Sequence, residues 1–387
     1  MRRLPAHKWS TWVYYKSNMP AVANILDELT RDGELYETLE NNSVRCYACG
    51  HRCLIREGKR GICQVRFNKR GKLRVPWGYV AALQSDPIEK KPFFHVLPGS
   101  NALTFGMLGC DFHCGYCQNW LTSQAMRDPD SDYAVNYIRR ITPERMIQAG
   151  KDTNASLVVS SYNEPLITSE WAVAIFKQAK AAGLRCAYVS NGNNTPEVME
   201  YLRPYLSAYK IDLKCMQDKN YRKLGGVLQN TLDGIQRAHD MGLWVEVVTL
   251  VVPGFNDSNE ELWDAAQFLA GISKDIPWHV TAFHRDYKMT DRGNTPVKTL
   301  IRASEIGREA GLRYVYAGNI PGRVDEYEST FCPNCNQLVV RRTGYTITEY
   351  RLTEDGKCPN CSTKVAGLWP DKPSQVKLNG WGMPRLI

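Results

Sequence analysis

The chain has 387 residues, 43% of them hydrophobic and 23% charged. That balance is the globular average and excludes a disordered, collagen-like or small disulfide-stapled protein, while at roughly 150 residues per domain the length allows two or three domains. Lys and Arg exceed Asp and Glu by a net +9, which fits a solvated surface better than a dedicated nucleic-acid binder.

Residues 1–45 form a leader. Its His7, Lys8, Trp9, Trp12, Tyr14, Tyr15 and Lys16 mix aromatic and basic side chains, and the spacing of Val22, Ile25, Leu26, Leu29 and Leu35 predicts an amphipathic helix over Pro20–Glu40. Residues 46–100 hold a short segment rich in Cys, Arg and Gly that needs a metal to fold, followed by a Pro-punctuated connector. Over 101–320 apolar runs alternate with helical patterns. The runs are Leu103–Leu108, Ser156–Ser160, Arg185–Val189, Tyr209–Leu213, Trp244–Val251, His279–Ala282 and Tyr314–Tyr316. The helices between them are Pro143–Asp152, Ser169–Ala182, Pro196–Leu202, Asn230–Met241, Glu260–Leu269 and Val297–Ala310, with Gly183, Gly242 and Gly311 as closing residues of three. Repeated βα units imply a parallel sheet or barrel, with chemistry at the C-terminal strand ends. Residues 321–387 return to short, turn-rich sequence and an aperiodic tail.

No apolar run is long enough to span a bilayer. Met1–Pro5 is basic without the apolar stretch of a signal peptide, so a cytoplasmic location is expected. Thirteen cysteines then carry most of the information. In a reducing compartment Cys-x-x-Cys spacing points to metal. Cys332 and Cys335, with Cys358 and Cys361, are two matched knuckles and suit a closed tetrahedral zinc or iron site. Cys46, Cys49, Cys53 and Cys63 are less regular and suit zinc, a mononuclear iron or a cluster. Cys186 and Cys215 lack partners at metal spacing; Cys186 reads as core packing, and Cys215 follows a strand-end motif. The basic run from Arg52 to Arg74 reads as a solvated face or a docking surface for RNA or an acidic protein.

Cys110, Cys114 and Cys117 sit on one loop after the first strand of the alternating region. Three thiolates there can hold three irons of a [4Fe–4S] cluster and leave the fourth iron open to a small molecule. On spacing alone a zinc knuckle with a distant fourth ligand is the alternative. The pattern Cys-x-x-x-Cys-x-aromatic-Cys resembles the radical S-adenosylmethionine (radical SAM) superfamily, in which SAM chelates the fourth iron. The resemblance continues in order at later strand ends: Tyr162, Asn163, Glu164 and Pro165; Ser190, Asn191 and Gly192; Asp212 and Lys214; Val251–Asp257; and His284. It implies that Tyr116 borders the adenine and that Glu164 and Asn163 meet the methionine ammonium. It also implies that Ser190 and Asn191 hold the ribose and methionine end, and that Asp212, Lys214 and His284 contact SAM. Gln118, Asn119 and Trp120 resemble the activating enzymes of glycyl-radical proteins. The N-terminal cysteine pattern, Phe283–Met289, Tyr314–Asn319 and the paired C-terminal knuckles resemble the radical SAM member of the AmmeMemoRadiSam system, over roughly residues 44–369.

The resemblance implies a partial (β/α)6 TIM-like barrel flanked at both ends by four-cysteine metal modules. Its chemistry is reductive cleavage of SAM to a 5′-deoxyadenosyl radical, which takes hydrogen from a C–H bond. The electron donor would be a flavodoxin or ferredoxin. The substrate is expected to be a partner protein, with an RNA base or a small molecule as alternatives. A binding module whose clusters are all structural zinc is the rival outside enzymology.

Overall fold

The computed structural model describes residues 22–380 and 382–387. The aromatic and basic residues expected to mark the leader, His7 to Lys16, lie outside the described residues.

The centre is one mixed sheet. Its strands are β1 (Ala82–Pro87), β2 (Asn101–Gly106), β3 (Ala155–Ser160), β4 (Arg185–Ser190), β5 (Ala208–Asp212), β6 (Trp244–Val251), β7 (Trp278–Ala282) and β8 (Val315–Gly318), side by side in chain order. Strands β2 to β8 run parallel, and β1 pairs antiparallel with β2. Arg385–Leu386, in the tail that shows no periodicity, pairs with β1 and forms one edge. Strand β8 forms the other. All seven apolar runs are strands, one more than a six-unit barrel uses.

The crossovers carry α1 (Pro143–Asp152), α2 (Ser169–Ala181), α3 (Pro196–Leu202), α4 (Leu228–Asp240), α5 (Asn259–Ile272) and α6 (Val297–Glu309). Thr142, Thr195 and Ser258 start three of them by accepting the N–H of Arg145, Val198 and Glu261, which satisfies donors that the first turn leaves unpaired. One face of the sheet packs Leu103, Phe105, Val158, Tyr188, Ile211 and Val247 against Trp171, Phe176 and Ile235 of the helices. The other packs Ala102, Leu157, Val159, Ala187 and Ala208 against Ile88, Phe93 and Val96 of the connector. Burial on both faces is why these strands read as continuous apolar runs rather than as alternation.

Three three-stranded sheets surround this centre. The leader is not one long helix. The helix spans Val22–Glu28, after which Thr30–Asp32 pairs with Lys72–Pro76 and Tyr36–Thr38 with Val44–Cys46. Leu29 and Leu35 are still buried, so the apolar spacing was sound, but strand partners distant in sequence took up the backbone. Isolated helices of this length gain little from propensity alone. The C-terminal sheet, Thr330–Phe331, Leu338–Thr343 and Thr346–Tyr350, docks at the end of the molecule where β6 and β7 begin. There buried Arg342 donates to the Phe94 carbonyl at 2.6 Å and to Thr330 Oγ1 at 2.7 Å. Buried Glu246 accepts from the Phe94 and His95 N–H groups and contacts His279 Nε2 at 2.7 Å. No helix among the described residues is long and apolar enough to cross a membrane.

Candidate active site

The loop after β2 carries Cys110, Cys114 and Cys117. It begins at Gly109, whose φ of +96° places it in the left-handed region. A Cβ there would lie 2.8 Å from a Val65 methyl and 3.2 Å from the Cys63 carbonyl oxygen. Only glycine combines that φ with so close a neighbour. The Phe112 N–H points to Cys110 Sγ at 3.4 Å, and Ser123 Oγ lies 3.1 Å from Cys117 Sγ. Burial pushes the Cys114 thiol up to about 12. Such thiols stay protonated until a metal charge displaces the proton.

Glu164 follows β3 and is 2% exposed. Its carboxylate accepts from Ser190 Oγ at 2.7 Å, the Asn191 N–H at 2.8 Å and the Leu166 N–H at 3.1 Å. It therefore caps the short helix Pro165–Thr168 and faces the end of β4 as well. Burial, then the nearby Asp111, raise its pKa to about 8. Asn163 Oδ1 holds the Met107 N–H at 3.0 Å, which ties the end of β3 to the start of the cysteine loop. Asp212 ends β5, ion-paired with Lys210 and, at 3.4 Å, with Lys214. Asn256 holds this corner, donating to the Lys214 carbonyl at 2.7 Å.

These strand-end groups share one region with the thiols. Glu164 is close enough to Cys110, and Lys214 and Asp212 to Cys114, to act on their ionisation. Tyr116 is buried in a cluster with Cys114, Cys215 and Phe283 and meets Phe255 edge-on at 6.1 Å. Cys215 thus faces the same interior as Cys114, whereas Cys186 packs in the helix-facing core. His284 is exposed and lies 2.8 Å from Gln118 Nε2. Its segment straps the outside of the loop: the Lys288 N–H donates to the Gly115 carbonyl at 2.9 Å, and Tyr287 stacks on Trp120 at 5.2 Å.

Two participants escape the sequence reading. Asp111, fully buried, accepts from Asn191 Nδ2 at 2.7 Å and Asn193 Nδ2 at 2.8 Å. Lys210 pairs with Asp212. Asp111 sits between two motif cysteines and invites no separate attention. Lys210 is two positions before Asp212, so the strand period alone puts it on the same face.

The two outer cysteine sets differ. Cys332, Cys335, Cys358 and Cys361 bring their sulfurs within 4.8 Å of one another, with pairs at 3.5 and 3.6 Å. A tetrahedral ion with bonds of 2.3 Å needs sulfurs about 3.8 Å apart, so this set fits one zinc or iron ion. Hydrogen bonds from Thr363 and Asn334 hold Cys361 down to about 5, ready to bind as thiolate. Cys46, Cys49, Cys53 and Cys63 do not converge in that way among the described residues.

The Cys110, Cys114 and Cys117 set, with an acid at one strand end and an acid–lysine pair at another, fits a cluster held by three thiolates and a zwitterionic ligand beside it. Residues 105–269 match the family model of the radical SAM superfamily. An uncharacterised protein of Methanocaldococcus jannaschii is 36% identical over 338 residues, covering 87% of this chain and 98% of that protein. The pyruvate formate-lyase-activating enzyme of Staphylococcus aureus is 25% identical over 198 residues, 49% of this chain and 76% of the enzyme. Among solved structures, Streptococcus suis SuiB bound to S-adenosylmethionine is similar at a TM-score of 0.45 and 14% identity, over 64% of this chain and 56% of that one. The chain belongs to the radical SAM superfamily and is an enzyme of that class.

Proposed function

We propose that this enzyme resembles the activating enzymes in acting on a C–H bond of a partner protein, and that it belongs with the radical SAM members of the AmmeMemoRadiSam system. Membership of the superfamily brings a [4Fe–4S] cluster and SAM. When bound, these supply one-electron cleavage of SAM to methionine and a 5′-deoxyadenosyl radical that takes hydrogen from substrate. The observation that carries the reading is the gathering of Glu164, Asp212 and Lys214 around the Cys110–Cys117 loop.

In this reading Cys110, Cys114 and Cys117 hold the cluster. Glu164, oriented by Ser190 and the Asn191 N–H, meets the methionine ammonium, with Asn163 and Asn191 beside it. Lys214 meets the carboxylate, oriented by Asp212. Tyr116 borders the adenine. Asp111 keeps the Asn191 and Asn193 amides in place. His284, on the outer strap, is a substrate or SAM contact. The strand-and-helix centre over 101–320 forms the partial barrel. Residues 1–45 act as a leader, 46–100 as the first metal module and 321–387 as the second, with zinc at Cys332, Cys335, Cys358 and Cys361. The protein works in the cytoplasm with a flavodoxin or ferredoxin as donor. Support for a protein substrate comes from the activating enzyme among its relatives.

The test is direct. Anaerobic protein given SAM and dithionite should release 5′-deoxyadenosine, and Cys114→Ala should release none while keeping its C-terminal metal. Deuterium from a labelled partner protein should appear in the 5′-deoxyadenosine. Label arriving only from small molecules or RNA would refute the protein substrate, and cleavage retained in Cys114→Ala would refute the cluster assignment.

A further inference from the structure

We propose that Cys46, Cys49, Cys53 and Cys63 hold a second [4Fe–4S] cluster that passes electrons to the one at Cys110, Cys114 and Cys117. The proposal rests on the function proposed above and adds the route by which its electron arrives.

Three observations carry it. The first is sulfur spacing. A single tetrahedral ion draws its ligands as close as the C-terminal set, all within 4.8 Å. The N-terminal four are not drawn together in that way, and neither are Cys110, Cys114 and Cys117. When each cysteine binds a different iron of a cubane, the sulfurs stand farther apart than around one ion. A spacing wider than that of the C-terminal set suits a cluster better than one zinc ion.

The second is the lining. Cys46, Cys49 and Cys63 are buried and Cys53 is half-buried. The Ile62 N–H points to Cys53 Sγ at 3.4 Å, the kind of contact that stabilises reduced clusters. Two buried nitrogens here have no partner, His51 Nε2 between Cys49 and Cys53 and Arg66 Nε just after Cys63. Arg66 is 1% exposed. Both terminal nitrogens of Arg66 are held by Glu170, which leaves Nε as its open donor.

The third is proximity. Gly109, next to Cys110, presses against Val65 and the Cys63 carbonyl. Arg127 donates both to the Phe112 carbonyl, at 2.6 Å, and to the Ile62 carbonyl. The Gly50 N–H donates to the Asn193 carbonyl at 2.8 Å, and Asn193 holds Asp111. Residues flanking the two cysteine sets are thus in direct contact. A cluster with four protein thiolates has no open iron for a substrate, which leaves electron transfer as its chemistry. On the outer side Arg56, Lys59, Lys69, Arg70 and Lys72 are exposed, a surface complementary to an acidic carrier.

The balance is one electron. An external low-potential donor of the flavodoxin or ferredoxin class is oxidised by one electron. The N-terminal cluster goes from 2+ to 1+ and returns to 2+ as the core cluster goes from 2+ to 1+. No bond forms or breaks in the relay.

The full chain bearing Cys110→Ala, Cys114→Ala and Cys117→Ala, reconstituted anaerobically with iron and sulfide, should keep about four irons and four sulfides. Reduction with dithionite should give it a cluster electron paramagnetic resonance signal. The wild-type chain should hold about eight irons in clusters. Its reduced spectrum should be broadened relative to the sum of this variant and Cys49→Ser/Cys63→Ser, because neighbouring spins couple. Zinc without sulfide in the triple variant, or only about four irons in the wild type, overturns the second cluster; an unbroadened spectrum overturns the relay. Each of those results leaves SAM cleavage by the wild type intact. Conversely, a cluster kept in the triple variant with no SAM cleavage by the wild type defeats the proposed function and not this site.

Discussion

Glu164 carries two loads at once. It closes the first turn of Pro165–Thr168 and also faces Ser190 and Asn191 at the next strand end. Glu164→Gln keeps the shape but turns one acceptor into a donor facing N–H groups, so melting temperature should fall modestly. If the carboxylate also meets the SAM ammonium, a charge-assisted bond of roughly 1.5–3 kcal/mol is lost. SAM affinity, followed by titration of the reduced cluster's spectrum, should then drop about ten- to a hundredfold, with iron content unchanged. Lower melting temperature with unchanged affinity would leave Glu164 as a cap only. The C-terminal cysteine set was legible because its spacing is local. Asp111 was not, because its partner Asn193 comes beside it only once the strand ends meet; Lys210 shares β5 with Asp212, so the strand period already pointed to it.

Turns and connectors set how the elements meet. Gly109→Ala places a methyl against Val65 at a φ of +96°. Left-handed strain of order 1–3 kcal/mol and the clash should lower the melting temperature and reduce iron incorporation together. A variant with wild-type iron content and stability would show that the two cysteine loops do not need this contact. The connector between β1 and β2 holds a second test. Glu89 is fully buried, with Oε1 accepting the Gly99 N–H and Oε2 unpartnered. Burial raises its pKa from 4.5 to about 7. The unfolded chain releases this proton near pH 4.5 and the folded chain only near pH 7. Stability should therefore fall as pH rises through that window, by about 3 kcal/mol at most. Glu89→Gln should remove that part of the slope and be more stable than wild type at pH 8, measured by urea unfolding. An equal slope in both proteins would mean that the carboxyl is already ionised in the fold.

At the scale of the molecule, buried polar links hold the outer sheets to the centre. Arg66 donates to both Glu170 carboxylate oxygens, at 2.7 and 2.8 Å, and so joins the N-terminal cysteines to α2. At the far end Cys332 and Cys358 share a core with Phe94, Tyr316 and Trp369. Metal binding there is folding energy. Cys361→Ser should lose one metal ion and open residues 330–369 to proteolysis. Because Arg342 and Ala366 are bonded to Phe94 and His95, the whole chain should melt earlier. Full metal content in Cys361→Ser would rule out the four-thiolate site.

The amino-acid order alone determined the βα alternation, the helix positions to within a few residues and the membership of the C-terminal cysteine set. Those features depend on local period, caps and spacing. Tertiary structure decided that part of the leader joins sheets as strands instead of continuing as a helix, and that the tail lies beside β1. It also decided that Cys63 lies against Gly109 and that the two outer cysteine sets adopt different spacings. The reason is physical: strand pairing and sulfur geometry depend on residues dozens of positions apart, and no local pattern records which of them will become neighbours.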